Sequence, residues 1–276
     1  MPELPEVETV CRGLKKNIID RKIKIVNISN KNLRFPYPSY FIKNLRDRIV
    51  TKITRRARYI LIYLNDEQVL LIHLGMTGKL NFHINNDKPI AQNHDHIVIK
   101  FFDNSYLIYN DVRRFGFVDL FHSKEESKHK ILKHLAIEPL SDDFNVKYLQ
   151  EKLRNKSINI KNIMMDNKIV VGVGNIYINE SLFLSSILPT RPANKVKTKE
   201  LENLIYNIKN ILQRAIDKGG STLRDYQQLN GDVGNFQFDF KVYGKEGDKC
   251  SNCIKGKIIR IKQSGRSSFF CPNCQR

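Results

Sequence analysis

The sequence predicts a multidomain α+β protein, in which an N-terminal helix and a β-sandwich precede a helical domain and a C-terminal β-hairpin held by metal. Short β-branched runs fill residues 22–122, and beyond about residue 130 apolar residues recur every three or four positions. Two close cysteine pairs end the chain. Its 276 residues are enough for about two domains.

The N-terminal helix is indicated by Pro5, which favours a first helical turn, and by an apolar face of Val7, Val10, Cys11 and Leu14. We expect Cys11 to be a core residue. The following strands are separated by Asn, Asp and Gly clusters, which is typical of a β-sandwich. They are predicted at residues 23–26, 59–64, 69–74, 96–102 and 106–109.

The helical domain is indicated most clearly by apolar residues spaced by threes and fours from Leu201 to Ile216, ending before Gly219. A charged stretch at 124–133 predicts the boundary before it. Within the domain, Asn175 follows a glycine-rich turn and is predicted to cap a helix, whose N-terminus would suit an anion. An ordinary connection between two helices explains the same residues, and this segment alone does not decide. The long polar stretch at 219–240 predicts a functional loop.

The charge of the chain favours a polyanionic partner. It has 47 Lys and Arg against 28 Asp and Glu, a net charge of +19. Such a surplus repels itself, and nucleic acid is the commonest partner that relieves it. A compositional drift towards lysine is the alternative. No apolar run approaches the ~20 residues of a membrane span, and no signal peptide is visible, so we expect a cytosolic protein without a membrane partner.

The two cysteine pairs have the spacing of a four-thiolate zinc site. The pairs are Cys250 with Cys253 and Cys271 with Cys274, and seventeen residues separate them. The intervening residues alternate and turn like a β-hairpin. A redox dithiol pair or two disulfides would suit a cytosolic chain less well. Because four protein ligands leave no open position, we expect one structural Zn²⁺ per chain rather than a catalytic one.

Two histidines, His94 and His96, alternate along a predicted strand and would share one face. No third metal ligand is identifiable beside them. A structural or phosphate-contacting role is therefore the preferred interpretation.

Seven sequence blocks resemble those of the formamidopyrimidine-DNA glycosylases, in the order of that family and over essentially the whole chain. The opening MPELPEVETV and the terminal zinc hairpin are the first and last. The others lie at residues 73–76, 111–116, 166–177, 219–223 and 242–244. The resemblance implies a β-sandwich domain at 1–130, a helix–two-turns–helix domain with a lesion-recognition loop at 131–235, and a zinc finger at 236–276.

The same resemblance implies a bacterial, cytoplasmic, monomeric base-excision-repair enzyme acting on damaged double-stranded DNA. Members remove oxidised purines, chiefly 8-oxoguanine and formamidopyrimidines, and then cut the strand by β,δ-elimination. The nucleophile would be Pro2 after methionine removal, because an α-amino group of pKa ~7.7–8.0 is partly neutral at pH 7. Glu3 matches the acid that protonates the opening sugar. Without the resemblance, Met-Pro would merely indicate efficient processing.

The resemblance also implies the DNA contacts. Met76, Arg113 and Phe115 match the side chains that fill the gap left by the extruded base, although Met76 and Phe115 taken alone are typical of a β-core. Lys161, taken alone, is typical of a solvated helix. Arg266 matches a zinc-finger arginine that grips phosphate and assists the last elimination. The remaining matching contact positions are His73, His94, Lys156, Lys161 and Asn175.

One position departs from the family pattern. Arg58 stands where the family usually has lysine. An arginine still holds a phosphate, but it is a poor proton donor, so an acid role in β-elimination is in doubt here.

Two other functions are consistent with the sequence. An endonuclease VIII-type enzyme would prefer oxidised pyrimidines, but Leu4 and the set of Met76, Arg113 and Phe115 favour the purine branch. A non-catalytic zinc-ribbon DNA-binding protein would make no use of Pro2 as an amine.

Overall fold

A computed structural model of the chain describes residues 2–84, 93–222, 226–229 and 231–276. The chain forms two compact units. The first contains Met1–Lys133 and Lys218–Asn235, and the second contains His134–Asp217 and Phe236–Arg276. The predicted α+β class is confirmed, and each unit has its own hydrophobic core.

The first unit begins with helix α1 (Leu4–Ile18) and is built from two four-stranded antiparallel sheets. The strands are β1 (Ile23–Ile28), β2 (Val50–Arg56), β3 (Tyr59–Leu64), β4 (Gln68–His73), β5 (Lys79–His83), β6 (Asp95–Phe101), β7 (Tyr106–Asn110) and β8 (Phe117–His122). One sheet has the order β1-β6-β7-β5 and the other β2-β3-β4-β8. A short helix, α2 (Phe41–Leu45), follows β1.

The core of the sandwich lies between the sheets and under α1. Val7, Val10, Cys11 and Leu14 are all buried, so the apolar face predicted for α1, with its cysteine, lies in the core. Strands β3 and β4 carry nearly continuous apolar runs because they occupy the centre of their sheet. Strands β2, β5 and β8 are not among the runs singled out in the sequence, and all three lie at the edges of their sheets.

The second unit contains four helices around an apolar core. They are α3 (Val146–Leu153), α4 (Ile160–Met164), α5 (Asn175–Leu184) and α6 (Thr198–Asp217). The longest, α6, contributes the residues predicted from the spacing between Leu201 and Ile216. No helix in the described ranges is both long and apolar enough to cross a membrane.

The C-terminal hairpin pairs β9 (Ile259–Gln263) with β10 (Arg266–Phe270). Its two-residue turn has positive φ at Ser264 (45°) and Gly265 (78°), the conformation that a tight hairpin of this twist requires. The hairpin belongs to the helical unit, because Phe269 and Cys271 pack with Phe183 of α5.

The contacts therefore divide the chain differently from the three predicted domains. Residues 134–217 and the hairpin form one unit, since the hairpin is too small to bury its apolar face alone. Residues 218–235 belong to the sandwich unit, where Tyr226 and Leu229 join the core. The first boundary falls at Lys133, close to the predicted charged stretch.

Candidate functional site

The start of the chain is built into the sandwich unit. Pro2 is buried and Glu3, the N-cap of α1, is nearly so. Glu3 and Glu6 form a reciprocal capping box, in which Glu6 Oε2 accepts the Glu3 N–H at 2.8 Å. This box fixes the backbone direction at the residue next to Pro2, so the predicted nucleophile and acid are held at an ordered helix N-terminus.

The 219–240 segment is attached to the same helix. Glu6 Oε1 accepts the Ser221 N–H at 2.8 Å, and the buried Tyr226 hydroxyl donates to the Glu6 carbonyl at 3.3 Å. Gly220 has φ +84°, and a Cβ there would lie 3.0 Å from Glu6 Cγ. The predicted recognition loop thus begins beside Pro2 and Glu3. Its residues 223–225 and 230 lie outside the described residues.

A cavity of about 660 Å³ in the sandwich unit brings together four of the predicted DNA-contact residues. They are His73, Met76, Arg113 and Phe115. Met76 and Phe115 are 40% and 46% exposed, so the alternative that they are β-core residues is wrong. The Arg113 guanidinium carbon lies 4.5 Å from the centre of the Phe115 ring. The two side chains form one exposed projection, which suits stacking on bases.

A buried polar network supports that projection. Asp111 Oδ2 accepts the Gly116 N–H at 2.8 Å, and Asp111 Oδ1 accepts from the Thr77 hydroxyl. Thr77 Oγ1 in turn accepts the Arg113 N–H at 3.1 Å. Both ends of the 111–116 loop are therefore tied to one buried carboxylate. A Cβ at Gly116 would lie 2.6 Å from the His73 carbonyl oxygen, so only glycine fits there.

His73 lies at the inner wall of the cavity as a neutral imidazole. Its ring stacks on Phe117 at 5.1 Å, and its Nδ1 accepts the Gly75 N–H at 3.2 Å. Burial, together with the positive charges of Arg58 and Arg34, lowers its pKa to about 4. With Nδ1 occupied as an acceptor, the proton is on Nε2, which is a neutral hydrogen-bond donor.

Arg58 follows β2 in the tight turn to β3, one residue after Ala57, whose φ is +53°. Its positive charge is one of the causes that lower the pKa of His73. Arg34 acts in the same way and also lines the cavity. Arg34, Arg113 and Arg114 thus make the lining of the cavity cationic.

The histidine pair does not share a face. His96 is buried, with Nδ1 3.0 Å from Ser29 Oγ and Nε2 3.0 Å from the Asp111 carbonyl oxygen. His94 is exposed and has φ +76°, before β6 begins, so the strand alternation does not include it. His96 is structural, and His94 remains a predicted DNA contact.

In the helical unit, three of the predicted residues lie close together. Lys161 Nζ donates to the Ser267 carbonyl oxygen and to Ser268 Oγ, both at 2.7 Å. Asn175 Nδ2 donates to the same Ser267 oxygen at 3.2 Å. Arg266 is the adjacent residue in β10, and its side chain is exposed.

The environment of Lys161 is not the solvated helix surface that its sequence alone indicates. Its side chain is 0% exposed. Burial, with the charge of Arg266 nearby, lowers its pKa to about 8. Asn175 also differs from expectation, because Gly174 is the N-cap of α5 and Asn175 is its first residue. Lys156, by contrast, is exposed, between α3 and α4, and makes no contact with this group in the described structure.

The four hairpin cysteines form a single cluster. The Sγ atoms of Cys250 and Cys274 are 3.6 Å apart, and those of Cys253 and Cys271 are 3.7 Å apart. All four sulfurs lie within 4.8 Å of one another. A tetrahedral site with Zn–S bonds of ~2.3 Å has sulfurs roughly 3.8 Å apart, so the cluster fits a metal ion.

Backbone groups complete this candidate metal centre. The Gly256 N–H donates to Cys253 Sγ at 3.3 Å, which lowers the pKa of that thiol to about 7 and favours the thiolate that binds metal. A Cβ at Gly256 would lie 2.7 Å from Cys271 Sγ. Within the described part of the chain, no other group of three or more potential ligands is close enough to hold a metal ion.

Sequence reasoning missed several residues that organise these sites. Glu6 has a local signal, since a Glu three residues after an N-cap indicates a capping box. Arg34, Thr77 and Asn179 have none, because their partners are distant in sequence.

Family models match most of the chain. Residues 1–118 match the formamidopyrimidine-DNA glycosylase N-terminal domain, and residues 135–227 match the formamidopyrimidine-DNA glycosylase H2TH domain. The chain is 45% identical over 276 residues to the formamidopyrimidine-DNA glycosylase of Wolbachia sp. subsp. Drosophila simulans (strain wRi). It is 43% identical over 294 residues to that of Bartonella tribocorum (strain CIP 105476 / IBS 506). Each comparison covers all of both chains.

Solved structures of similar chains contain damaged DNA. The complex of Lactococcus lactis Fpg with DNA containing an abasic site matches with a TM-score of 0.90 and 36% identity, covering all of both chains. A Lactococcus lactis FPG mutant in complex with DNA containing Fapy-dG matches with a TM-score of 0.89, 36% identity and the same coverage. On the full-length likeness and both domain matches, the chain belongs to the formamidopyrimidine-DNA glycosylase family of DNA-repair enzymes.

Proposed function

We propose that this enzyme excises oxidised purines, 8-oxoguanine and formamidopyrimidines, from duplex DNA and then cuts the strand at the abasic site. The observation that carries the proposal is the ordered N-terminus, where Pro2 and Glu3 lie beside the start of the 219–240 segment. The full-length likeness to glycosylases solved with damaged DNA supports the same assignment.

The chemistry begins at Pro2, once Met1 has been removed. Its secondary amine attacks C1′ of the damaged nucleotide while Glu3 supplies a proton to the sugar, and the base leaves. The resulting iminium ion makes the C2′ proton acidic, and its removal expels the 3′ phosphate; a second elimination expels the 5′ phosphate. The burial of Pro2 and Glu3 keeps bulk water from the reacting carbon.

The remaining residues bind and shape the DNA. Met76, Arg113 and Phe115 would enter the duplex where the base has left, since their exposed side chains line one cavity. The loop that carries Arg113 and Phe115 is anchored by hydrogen bonds to buried polar groups. His73, with a neutral Nε2–H, and Arg58 would hold phosphate beside it. In the helical unit, Lys161, Asn175 and Arg266 would form a second phosphate site, with Lys156 and His94 as outer contacts.

The metal is proposed to be one structural Zn²⁺ per chain. Cys250, Cys253, Cys271 and Cys274 would hold it, and their sulfur spacing fits a tetrahedron. The ion would fix the base of the hairpin that carries Arg266.

Borohydride trapping tests the proposal. An 8-oxoguanine:cytosine duplex should yield a covalent adduct with the chain that starts at Pro2. The adduct should be lost when the N-terminus is acetylated, and strongly reduced in Pro2→Gly. A duplex with thymine glycol tests the pyrimidine-specific alternative by its excision rate. If the unmodified enzyme gives no adduct with either duplex, the chain is a DNA-binding protein and the proposal is wrong.

A further inference from the structure

One buried side-chain amide joins strand β10 to helix α5. Asn179 lies one turn after Asn175 in α5 and is 1% exposed. Its Oδ1 accepts the Phe269 N–H at 2.8 Å, and its Nδ2 donates to the Asn175 carbonyl oxygen. A helix residue therefore makes a hydrogen bond to a strand 90 residues away in sequence.

The two partners fix the orientation of this amide. A backbone N–H only donates, so the position requires an acceptor towards β10, while the amide nitrogen donates to a helix carbonyl on the other side. The Phe269 N–H is buried, and leaving it without an acceptor is costly. The residue type at 179 is thus set by hydrogen bonding rather than by volume.

The bonded amide lies near the functional end of β10. Phe269 is three residues after Arg266, a separation of about 10 Å along a strand. Between them, the Ser267 carbonyl oxygen accepts from Lys161 and from Asn175. In the turn, Ser264 Oγ accepts from Asn162 Nδ2 at 2.7 Å. The strand is therefore attached to α4 and α5 on both sides of Arg266.

We propose that Asn179 is a positioning residue. Its hydrogen bond to Phe269 sets the position of β10 along α5, so that Arg266 and Asn175 reach the same DNA phosphate. This inference rests on the proposed function, in which Arg266 assists the last elimination. The Arg266 side chain is exposed, and its reach starts from the position of its backbone in β10. Asn179 itself touches neither DNA nor the reacting atoms.

A purely structural role makes a different prediction. If Asn179 only stabilised the fold, its loss would lower the amount of active enzyme and slow every step alike. A positioning role selectively impairs the step that needs Arg266, the second elimination, because displacements of about 1 Å reduce rates up to ~100-fold.

The experiment compares the products from a preformed abasic-site duplex under single-turnover conditions. In Asn179→Ala, the ratio of β,δ-product to β-product should fall about tenfold or more, whereas borohydride trapping at Pro2 should persist. Asn179→Asp keeps an acceptor for the Phe269 N–H and should restore most of the ratio. Asn207→Ala is the matched control, since it removes a 2.9 Å hydrogen bond to Ser185 in the same unit but away from β10. It should behave as the wild type.

A double-mutant cycle sharpens the test. Once Arg266→Ala has removed the side chain being positioned, adding Asn179→Ala should lower the ratio no further. Additive losses, or equal slowing of all steps, would overturn the inference. A wild-type enzyme that forms no borohydride adduct would instead overturn the proposed function.

Two measurements protect the test against misfolding. Metal content and cooperative thermal unfolding are measured for each variant. Asn179→Leu, whose side chain has a similar volume, is assayed alongside Asn179→Ala. In the wild-type protein, the Phe269 amide should exchange slowly with solvent, because it is buried and bonded to Asn179. Exchange as fast as at the exposed Ser264 would overturn the inference without any variant.

Discussion

The buried carboxylate of Glu6 accepts the backbone N–H of Ser221, with 2.8 Å between Oε1 and the nitrogen, across 215 residues of sequence. Its other oxygen, Oε2, accepts the N–H of Glu3. One side chain therefore joins the residue after the proposed nucleophile to the start of the 219–240 segment. The ordering of the N-terminus and the ordering of the 219–240 segment are therefore coupled through this carboxylate.

Replacing that carboxylate by an amide should uncouple the two ends. In Glu6→Gln, one oxygen becomes an NH₂ group that faces a backbone N–H, at a cost of roughly 1–3 kcal/mol. We expect a lower thermal midpoint and slower excision of 8-oxoguanine. Glu202→Gln, in an exposed pair with Lys199, is the control and should change neither. Wild-type stability and activity in Glu6→Gln would contradict the coupling.

His73 should make the stability of the sandwich unit depend on acidity. Burial and the charges of Arg58 and Arg34 lower its pKa to about 4, from an unfolded value of ~6.5. The neutral imidazole therefore contributes fully to the free energy of unfolding above pH ~6.5. This contribution, at most about 3 kcal/mol, is lost as the pH falls towards about 4. Urea unfolding between these pH values should show this loss in the wild type and a flatter profile in His73→Gln.

The exposed His94 provides the comparison for that experiment. His94→Gln should retain the pH dependence of the wild type. If His73→Gln and the wild type lose stability in parallel, the imidazole is not held neutral by its surroundings.

Lys161 should give DNA binding an alkaline limit. Burial and Arg266 lower its pKa to about 8, so its ammonium loses a proton as the pH rises through that value. Affinity for a duplex containing an uncleavable abasic analogue should therefore fall between pH 7 and 9, in addition to the loss common to all variants. Lys161→Arg keeps its charge over this range and should remove the additional fall. Lys156→Met, at an exposed site, should keep it.

Removal of the metal should abolish DNA binding without affecting the sandwich core. One Zn²⁺ per chain is expected by metal analysis, and Cys271→Ser should lose it together with affinity, because the hairpin that carries Arg266 loses its base. Cys11→Ala removes a thiol that is buried in the core under α1, and it should keep the metal in full. Full binding by metal-free protein would show that the hairpin does not need the ion.

Arg58 should support binding at a small cost in strand cleavage. Its positive charge suits a phosphate contact, but a guanidinium is a poor acid. We expect Arg58→Lys to bind abasic-site DNA as the wild type does and to cleave it modestly faster. A gain above about tenfold, or ~1.4 kcal/mol of barrier, would show that the arginine limits the reaction.

The features that the sequence predicted well are those with local causes. The apolar face of α1, the central strands β3 and β4 and the cysteine quartet each follow from the spacing of nearby residues. The exposed positions of Met76 and Phe115 came from the resemblance, since apolar residues beside strands are ordinarily buried. Spacing alone would have placed them in the core.

The features that the sequence did not predict depend on distant partners. A lysine in a short helix gives no local sign that Ser267 and Ser268, more than a hundred residues later, will bury it. The same holds for Asn179 with Phe269. Strands β2, β5 and β8, which were not singled out either, each pair with only one neighbour at the edge of a sheet.

The core of the sandwich unit is completed by a segment from late in the sequence, since Tyr226 and Leu229 lie in it. During synthesis, the first 133 residues therefore leave the ribosome well before the segment that completes them. We expect a fragment ending at Lys133 to remain incompletely folded and prone to aggregation, and to gain order when residues 218–235 are supplied as a peptide. The candidate site beside Pro2 would then be complete only after residues 218–235 have been synthesised.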